Sequence, residues 1–279
     1  ISQFTRQHFL HLWGDLKSWK TAKANIDACI DGLGPLIKLE HIQPRNIDAM
    51  VVRWRKSGVV APATINRRLS CLSKLLGHAH RIGEINSIPS IKYLSEPKGR
   101  DYVFTDEILE RMKNYSYTFE HVDGVWVSAF MDVVYFLLDT GCRSGELWKL
   151  ELRDVFSRDN TRFVRFRAEH NKTNIERIIP LTDRAYGAAM RLKAGDIGYT
   201  KEQFRSDWQN VRTRLLEQDN PVFVPHSLRH TCATRLVTAG VPLVNVMKWM
   251  GHSNITTTMR YSHLNTSDLM GALDVMEGK

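Results

Sequence analysis

Tyr261 follows His252 by nine residues, and His226 precedes Arg229 by three. A phenol has a free pKa of about 10 and is a poor nucleophile unless cations and a base surround it. Imidazoles and a guanidinium on neighbouring segments are the groups such a tyrosine needs, and they direct attention to phosphate chemistry. A second arginine, Arg143, stands in Thr140-Gly141-Cys142-Arg143-Ser144-Gly145-Glu146-Leu147. Arginine suits phosphate because its planar fork offers parallel hydrogen bonds and its charge persists at any working pH. Lys172, in His170-Asn171-Lys172-Thr173-Asn174, is a mobile ammonium that can protonate a leaving oxygen.

Each residue alone has a plainer reading. Arg143 pairs with Glu146 or caps a helix, and Glu146 orients the arginine rather than acting on substrate. His226 follows Pro225 as a helix-start residue, Lys172 is a solvated lysine, and Tyr261 is a core tyrosine with a wet hydroxyl. His226 and His230 are four apart and admit a metal reading, but the glutamate of H-E-x-x-H and a nearby third ligand are missing.

The elements that must position these groups are mostly helices. Val125 to Asp139 is apolar on most faces and reads as a buried central helix stopped at Gly141, which places Arg143 at the turn after it. Arg162–Arg167 and Glu176–Leu181 read as a β-hairpin whose polar tip carries Lys172. Helices follow at Thr182–Lys193, Lys201–Gln218, about Ser227–Thr238, Pro242–Met250 and Ile255–Tyr261, and His226 and Arg229 share a face. Thr105 caps a helix that opens with Asp106 and Glu107.

The first part of the chain reads as a helical bundle. Ile47, Met50, Val51 and Trp54 share one face, with Arg53, Arg55 and Lys56 close by. Ile65, Leu69, Leu72, Leu75, Leu76 and Ala79 form an apolar stripe, and Arg67, Arg68 and Lys74 lie off it. Residues 1–99 hold 15 Lys or Arg against 7 Asp or Glu, whereas residues 100–279 hold 24 against 23. The net charge of +9 is therefore concentrated at one end, which makes that end the candidate for a polyanion. Pro89, Pro97 and Gly99 interrupt regular structure, so 91–103 reads as a linker between a domain at 1–90 and another at 104–263.

The four cysteines, Cys29, Cys71, Cys142 and Cys232, form no C-x-x-C pair and suggest neither a zinc knuckle nor a disulfide framework. A reducing cytoplasm fits. Asp132 interrupts the longest apolar run, so no membrane span is expected. The chain begins at Ile1 rather than Met, and a further domain ahead of it is an expectation.

The ordered set resembles the tyrosine recombinases, most closely the integrases of phages and integrative elements. Thr140-Gly141-x-Arg143-x-x-Glu146-Leu147 is similar to the family's first-arginine motif, and His226-x-Leu228-Arg229-His230-Thr231-x-Ala233-Thr234 to its H-x-x-R box. Gly251-His252 with Tyr261 is similar to the third-histidine and nucleophile segment. The resemblance is strong over about 104–265, while the first 90 residues match in kind, as a helical core-binding domain.

It implies a mainly α fold with a small β-sheet, the catalytic domain being of the tyrosine-recombinase and type IB topoisomerase kind. It implies a site-specific recombinase in which Arg143 and Arg229 clamp the scissile phosphate, His226 assists proton removal, His252 hydrogen-bonds the phosphate and Lys172 is the general acid. Tyr261 would form a 3′-phosphotyrosine with no metal or other cofactor. It further implies double-stranded DNA as substrate, both domains closing around the duplex, and a homotetramer working through a Holliday junction. Accessory DNA-bending or directionality proteins and a nucleoid-associated site of action belong to the same expectation, and the apolar residues Leu269, Met270, Leu273, Val275 and Met276 make the tail at 264–279 a docking segment, on a neighbouring protomer or in cis. A type IB topoisomerase, a silent DNA-binding protein and a metal-dependent phosphodiesterase are the alternatives.

Overall fold

The computed structural model describes residues 1–96, 102–116, 126–171, 174–194 and 198–264. The chain forms two units, Ile1–Gly99 and Arg100–Lys279. The first is built on α1 (Ser2–Trp13), α2 (Trp19–Leu33), α3 (Pro44–Lys56) and α4 (Pro62–Arg81). Pro44 and Pro62 each open a helix, where the missing N–H costs nothing and the fixed φ already suits the turn. The stripe on α4 is the packed face: Ile65, Leu69, Leu72, Leu75, Leu76 and Ala79 are fully buried, together with Ile26 of α2 and Met50 of α3.

The six cations expected to face a polyanion divide here. Arg55, Lys56 and Arg67 are exposed. Arg53 donates to the Gly32 carbonyl at the end of α2, and Lys74 donates to the Leu12 carbonyl at the end of α1 at 2.5 Å, each a cation at a helix C-terminus. The Arg68 guanidinium stacks 4.9 Å from the Trp54 ring centre. Three of the six thus also hold the bundle together.

The second unit contains α5 (Asp106–Ser116), α6 (Trp126–Thr140), α7 (Ser144–Lys149), β1 (Val155–Arg158), β2 (Thr161–Phe166), β3 (Arg177–Pro180), α8 (Asp183–Ala194), α9 (Lys201–Arg214), α10 (Pro225–Thr238), α11 (Leu243–Met250) and α12 (Thr256–Met259). Helix α6 is the core: Phe130, Val133, Val134 and Phe136 are fully buried, and α8 and α10 pack against it. Asp132, the charge that interrupts the apolar run, is buried and receives a fork of hydrogen bonds from Arg191 of α8 at 2.8 and 2.7 Å. Side-chain caps start several helices: Thr105 Oγ1 accepts from Ile108 N at 3.3 Å as expected, Thr182 Oγ1 accepts from Ala185 N at 3.0 Å, and Thr200 with Gln203 forms a reciprocal box at 3.2 and 2.6 Å.

The expected hairpin is β2 and β3, antiparallel, with Val164 opposite Ile179. A strand not foreseen, β1, extends it to a three-stranded sheet in the order β1-β2-β3. Asp159 and Asn160 make that addition possible, because both take positive φ, 47° and 61°, in the tight turn that matches strand twist. Two helices are shorter than the sequence suggested. Helix α9 ends at Arg214, followed by Leu216 at φ 59°, and α12 ends at Met259, so that Tyr261 sits in the turn beyond it.

The beginning of the second unit is fastened to α10. Phe104 N donates to Thr231 Oγ1 at 2.9 Å, and Arg235 donates to Asp106 at 2.7 Å. Among the described residues no helix is long and apolar enough to cross a membrane.

Gly141 ends α6 at φ 61°, and a Cβ there would lie 2.8 Å from Met250 Sδ and 3.0 Å from Cys232 Sγ. Left-handed backbone and close packing both require glycine at this point. Gly141→Ala is expected to lower stability by about 2–4 kcal/mol, read as a shift of the urea midpoint of the second unit.

Candidate active site

Arg143, His226, Arg229, His252 and Tyr261 line one cavity of about 400 Å³, with Ser227, His230, Thr257 and Arg260 completing its wall. They come from the turn after α6, the first turns of α10, the turn after α11 and the segment after α12. Five of the six residues expected to do chemistry are therefore brought together. Lys172 lies outside the described residues, as does the tail from 265 onward.

Arg229 is buried, and its fork is held by two main-chain carbonyls, that of Gly141 at 2.5 Å and that of Met250 at 2.6 Å. Those carbonyls end α6 and α11, where the helix dipoles favour a cation. Burial, and then the charges of Arg143 and Arg177, bring its pKa down to about 10, so it stays cationic at neutral pH. Its remaining N–H groups are available to the cavity that it lines.

Arg143 stands at the start of α7 with Glu146 in the first turn. The Glu146 carboxylate accepts from Arg143 N at 2.8 Å and from Arg143 Nη1 at 3.1 Å. It is buried and also receives both Nη atoms of Arg177, the first residue of β3, at 3.2 and 2.7 Å. Burial alone pushes the Glu146 carboxyl up, but the hydrogen bonds and charge of Arg177, followed by those of Arg143, outweigh it and hold the pKa below the ordinary carboxylate range. Glu146 is thus an anion that organises arginines.

His252 follows Gly251, whose φ of 64° ends α11 and turns the chain toward the cavity. Its Nδ1 lies 2.9 Å from Thr258 Oγ1, a fully buried hydroxyl. Burial first, then the charges of Arg229, Arg143, Arg177 and Arg260, lower its pKa to about 4. The ring is neutral at pH 7, and when the threonine hydroxyl donates to Nδ1 the ring proton sits on Nε2 as a donor.

A lowered folded pKa means that the unfolded chain binds the proton more readily between about 4 and 6.5, so stability falls as pH drops through that window. Wild type is expected to lose more stability than His252→Gln between pH 6.5 and 4, as measured by urea midpoints.

Tyr261 is buried, and its hydroxyl lies 3.0 Å from Nδ1 of His230, with the two rings 5.0 Å apart. The sequence offers His230 as a member of the H-x-x-R box and as a metal candidate but not as a partner of Tyr261, and it does not single out Arg177 or Arg260. A signal for Arg177 was present in the alternation of β3, which places residue 177 on the same inward face as Ile179. The contact of His230 with Tyr261 depends on how the last segment folds back, which no local pattern states.

Residues 102–268 match the profile of the phage integrase family. The chain belongs to that family. This tyrosine recombinase is 30% identical over 140 residues to the tyrosine recombinase XerA of Saccharolobus solfataricus, a match spanning 49% of this chain and 46% of that protein. It is 26% identical over 273 residues to XerC of Actinobacillus succinogenes, covering 84% of this chain and 81% of that protein. Among solved structures, the Tn1549 transposon integrase in complex with a circular intermediate DNA superposes with a TM-score of 0.73 at 20% identity, covering 93% and 94% of the two chains. A lambda integrase dimer bound to a core site gives 0.71 at 18% identity, covering 94% of each. These likenesses establish the tyrosine recombinase fold for this mainly helical chain with its small sheet.

Proposed function

We propose that this tyrosine recombinase is a site-specific integrase that cleaves and rejoins double-stranded DNA. The observation that carries this is the cavity in which a tyrosine hydroxyl, three arginines and three histidines converge from separate elements. Arg143 and Arg229 bind the non-bridging oxygens of the scissile phosphate and stabilise charge that grows in the transition state. Tyr261 attacks phosphorus, its proton passing to an imidazole. His230 already holds the hydroxyl, and His226, exposed at the start of α10, shares that task. His252 donates to the phosphate. A 3′-phosphotyrosine forms and a 5′-hydroxyl leaves, protonated by Lys172, whose role rests on the hairpin motif alone. A second 5′-hydroxyl attacks the phosphotyrosine and restores the phosphodiester, so no outside energy source is needed.

The remaining assignments complete this reading. Residues 1–90 bind DNA through Arg55, Lys56 and Arg67, with Arg53, Arg68 and Lys74 contributing as they brace the bundle. Residues 91–103 link it to a catalytic domain at 104–263, and the tail at 264–279 docks on a neighbouring protomer. Four protomers exchange strands through a Holliday junction, with DNA-bending or directionality proteins assisting at the bacterial nucleoid. Phosphate contacts dominate affinity, so log K falls steeply with log salt.

A nicked suicide substrate tests the chemistry. A covalent protein–DNA adduct that forms in EDTA, followed by joining of strands from two sites, is the expected result. Strict dependence on a divalent metal, or relaxation without strand exchange, sinks the assignment.

A further inference from the structure

We infer that Arg177 is a positioning residue of the active site: it saturates Glu146 so that the Arg143 guanidinium is left for phosphate, and it buttresses the turn that presents His252. The inference rests on the phosphotyrosine reading for its consequence and on geometry for its basis.

Glu146 accepts four hydrogen bonds. Oε1 receives Nη1 of Arg143 and Nη1 of Arg177, and Oε2 receives the Arg143 main-chain N–H and Nη2 of Arg177. The fork of Arg177 spans both oxygens, whereas Arg143 gives its side chain to only one. A lone carboxylate beside Arg143 would draw the guanidinium into a bidentate pair, the geometry arginine and carboxylate prefer. Arg177 occupies that geometry first. Its charge leaves three arginines around one carboxylate, an excess of positive charge suited to a phosphate that gains negative charge during attack.

The other side of Arg177 meets the histidine turn. A Cβ on Gly251 would fall 2.8 Å from Arg177 Nη1, so the guanidinium lies directly against the main chain that delivers His252. Below it, the Phe166 ring centre is 4.2 Å away and fixes the plane of the fork. One buried side chain therefore sets two groups of the cavity without lining it.

The test combines single-turnover cleavage of a suicide substrate at saturating DNA with DNA affinity. Arg177→Met is expected to cut the cleavage rate roughly 100-fold while Kd changes less than about threefold. Adding Glu146→Gln to Arg177→Met removes the charge that captures Arg143, and a recovery of roughly tenfold is expected. Arg177→Lys keeps the charge but not the fork and is expected to lie between the two, about tenfold slow. It decides the matter if Arg177→Met does not fold. A wild-type rate in Arg177→Lys, or a loss in Arg177→Met that Glu146→Gln leaves untouched, overturns the inference.

A second readout needs no DNA. NMR titration of the His252 ring is expected to move up from about 4 in Arg177→Met, and an unmoved ring overturns the buttress. Absence of any adduct with the wild-type protein counts against the proposed function instead, and the ring titration still judges Arg177.

Discussion

Tyr261→Phe is expected to abolish covalent capture of DNA, with cleavage falling by at least roughly 10⁴-fold. The substitution removes one oxygen and keeps the ring, which is buried beside Cys232, Val237, Val246 and Met250. Its hydroxyl makes a hydrogen bond to His230, so the cost in stability is about 1 kcal/mol, and DNA binding should be unchanged. Denaturing gels of wild type and variant on the same nicked substrate read the result directly. An adduct that survives in the variant would mean that another residue supplies the nucleophile.

Arg229→Lys carries the second largest effect, because Arg229 holds the fold and, in the proposed mechanism, also binds the phosphate. Its two Nη atoms bridge the carbonyls of Gly141 and Met250, at the ends of two helices. An ammonium is a point donor and cannot span both while also facing the cavity. Cleavage is expected to fall roughly 10²–10³-fold. Stability should fall by about 1–3 kcal/mol, since a buried carbonyl loses its donor. Arg143→Lys offers the contrast. Arg143 is partly exposed and, among the described residues, its guanidinium is tied at Glu146 alone, so its replacement should affect cleavage far more than stability. Single-turnover rates paired with urea midpoints separate the two arginines.

The helices of both units were legible because their apolar positions recur at helical spacing, as on α4, and because Thr105, ahead of Asp106 and Glu107, marks the start of α5. The cavity was legible through the spacing of His226 and Arg229 and through Gly141 and Gly251, each at a helix end where only a left-handed turn continues the chain. Long-range pairing was not legible. Glu146 meets Arg177 across 31 positions, and His230 meets Tyr261 across 31, with nothing in either local pattern to name the partner. Strand β1 escaped notice for a different reason: its four residues, Val155 to Arg158, do not alternate in burial, and its turn rests on Asp and Asn rather than on glycine. The third group are cations such as Lys74, whose exposure suggested a free charge when part of its work is to hold the end of α1.

The fastening of Phe104 and Asp106 to α10 has a mechanical reading. Near the start of the second unit, Phe104 and Asp106 are bonded to Thr231 and Arg235, on the helix that also carries His226, Arg229 and His230. A pull on the chain ahead of Phe104 is thus borne by α10 through these hydrogen bonds, and by Trp208 of α9, whose ring lies 5.9 Å from that of Phe104. Force arriving along the backbone therefore reaches α10, which carries Arg229 and two histidines of the cavity, and stretching the protein from its first residue should load that helix as the unit gives way.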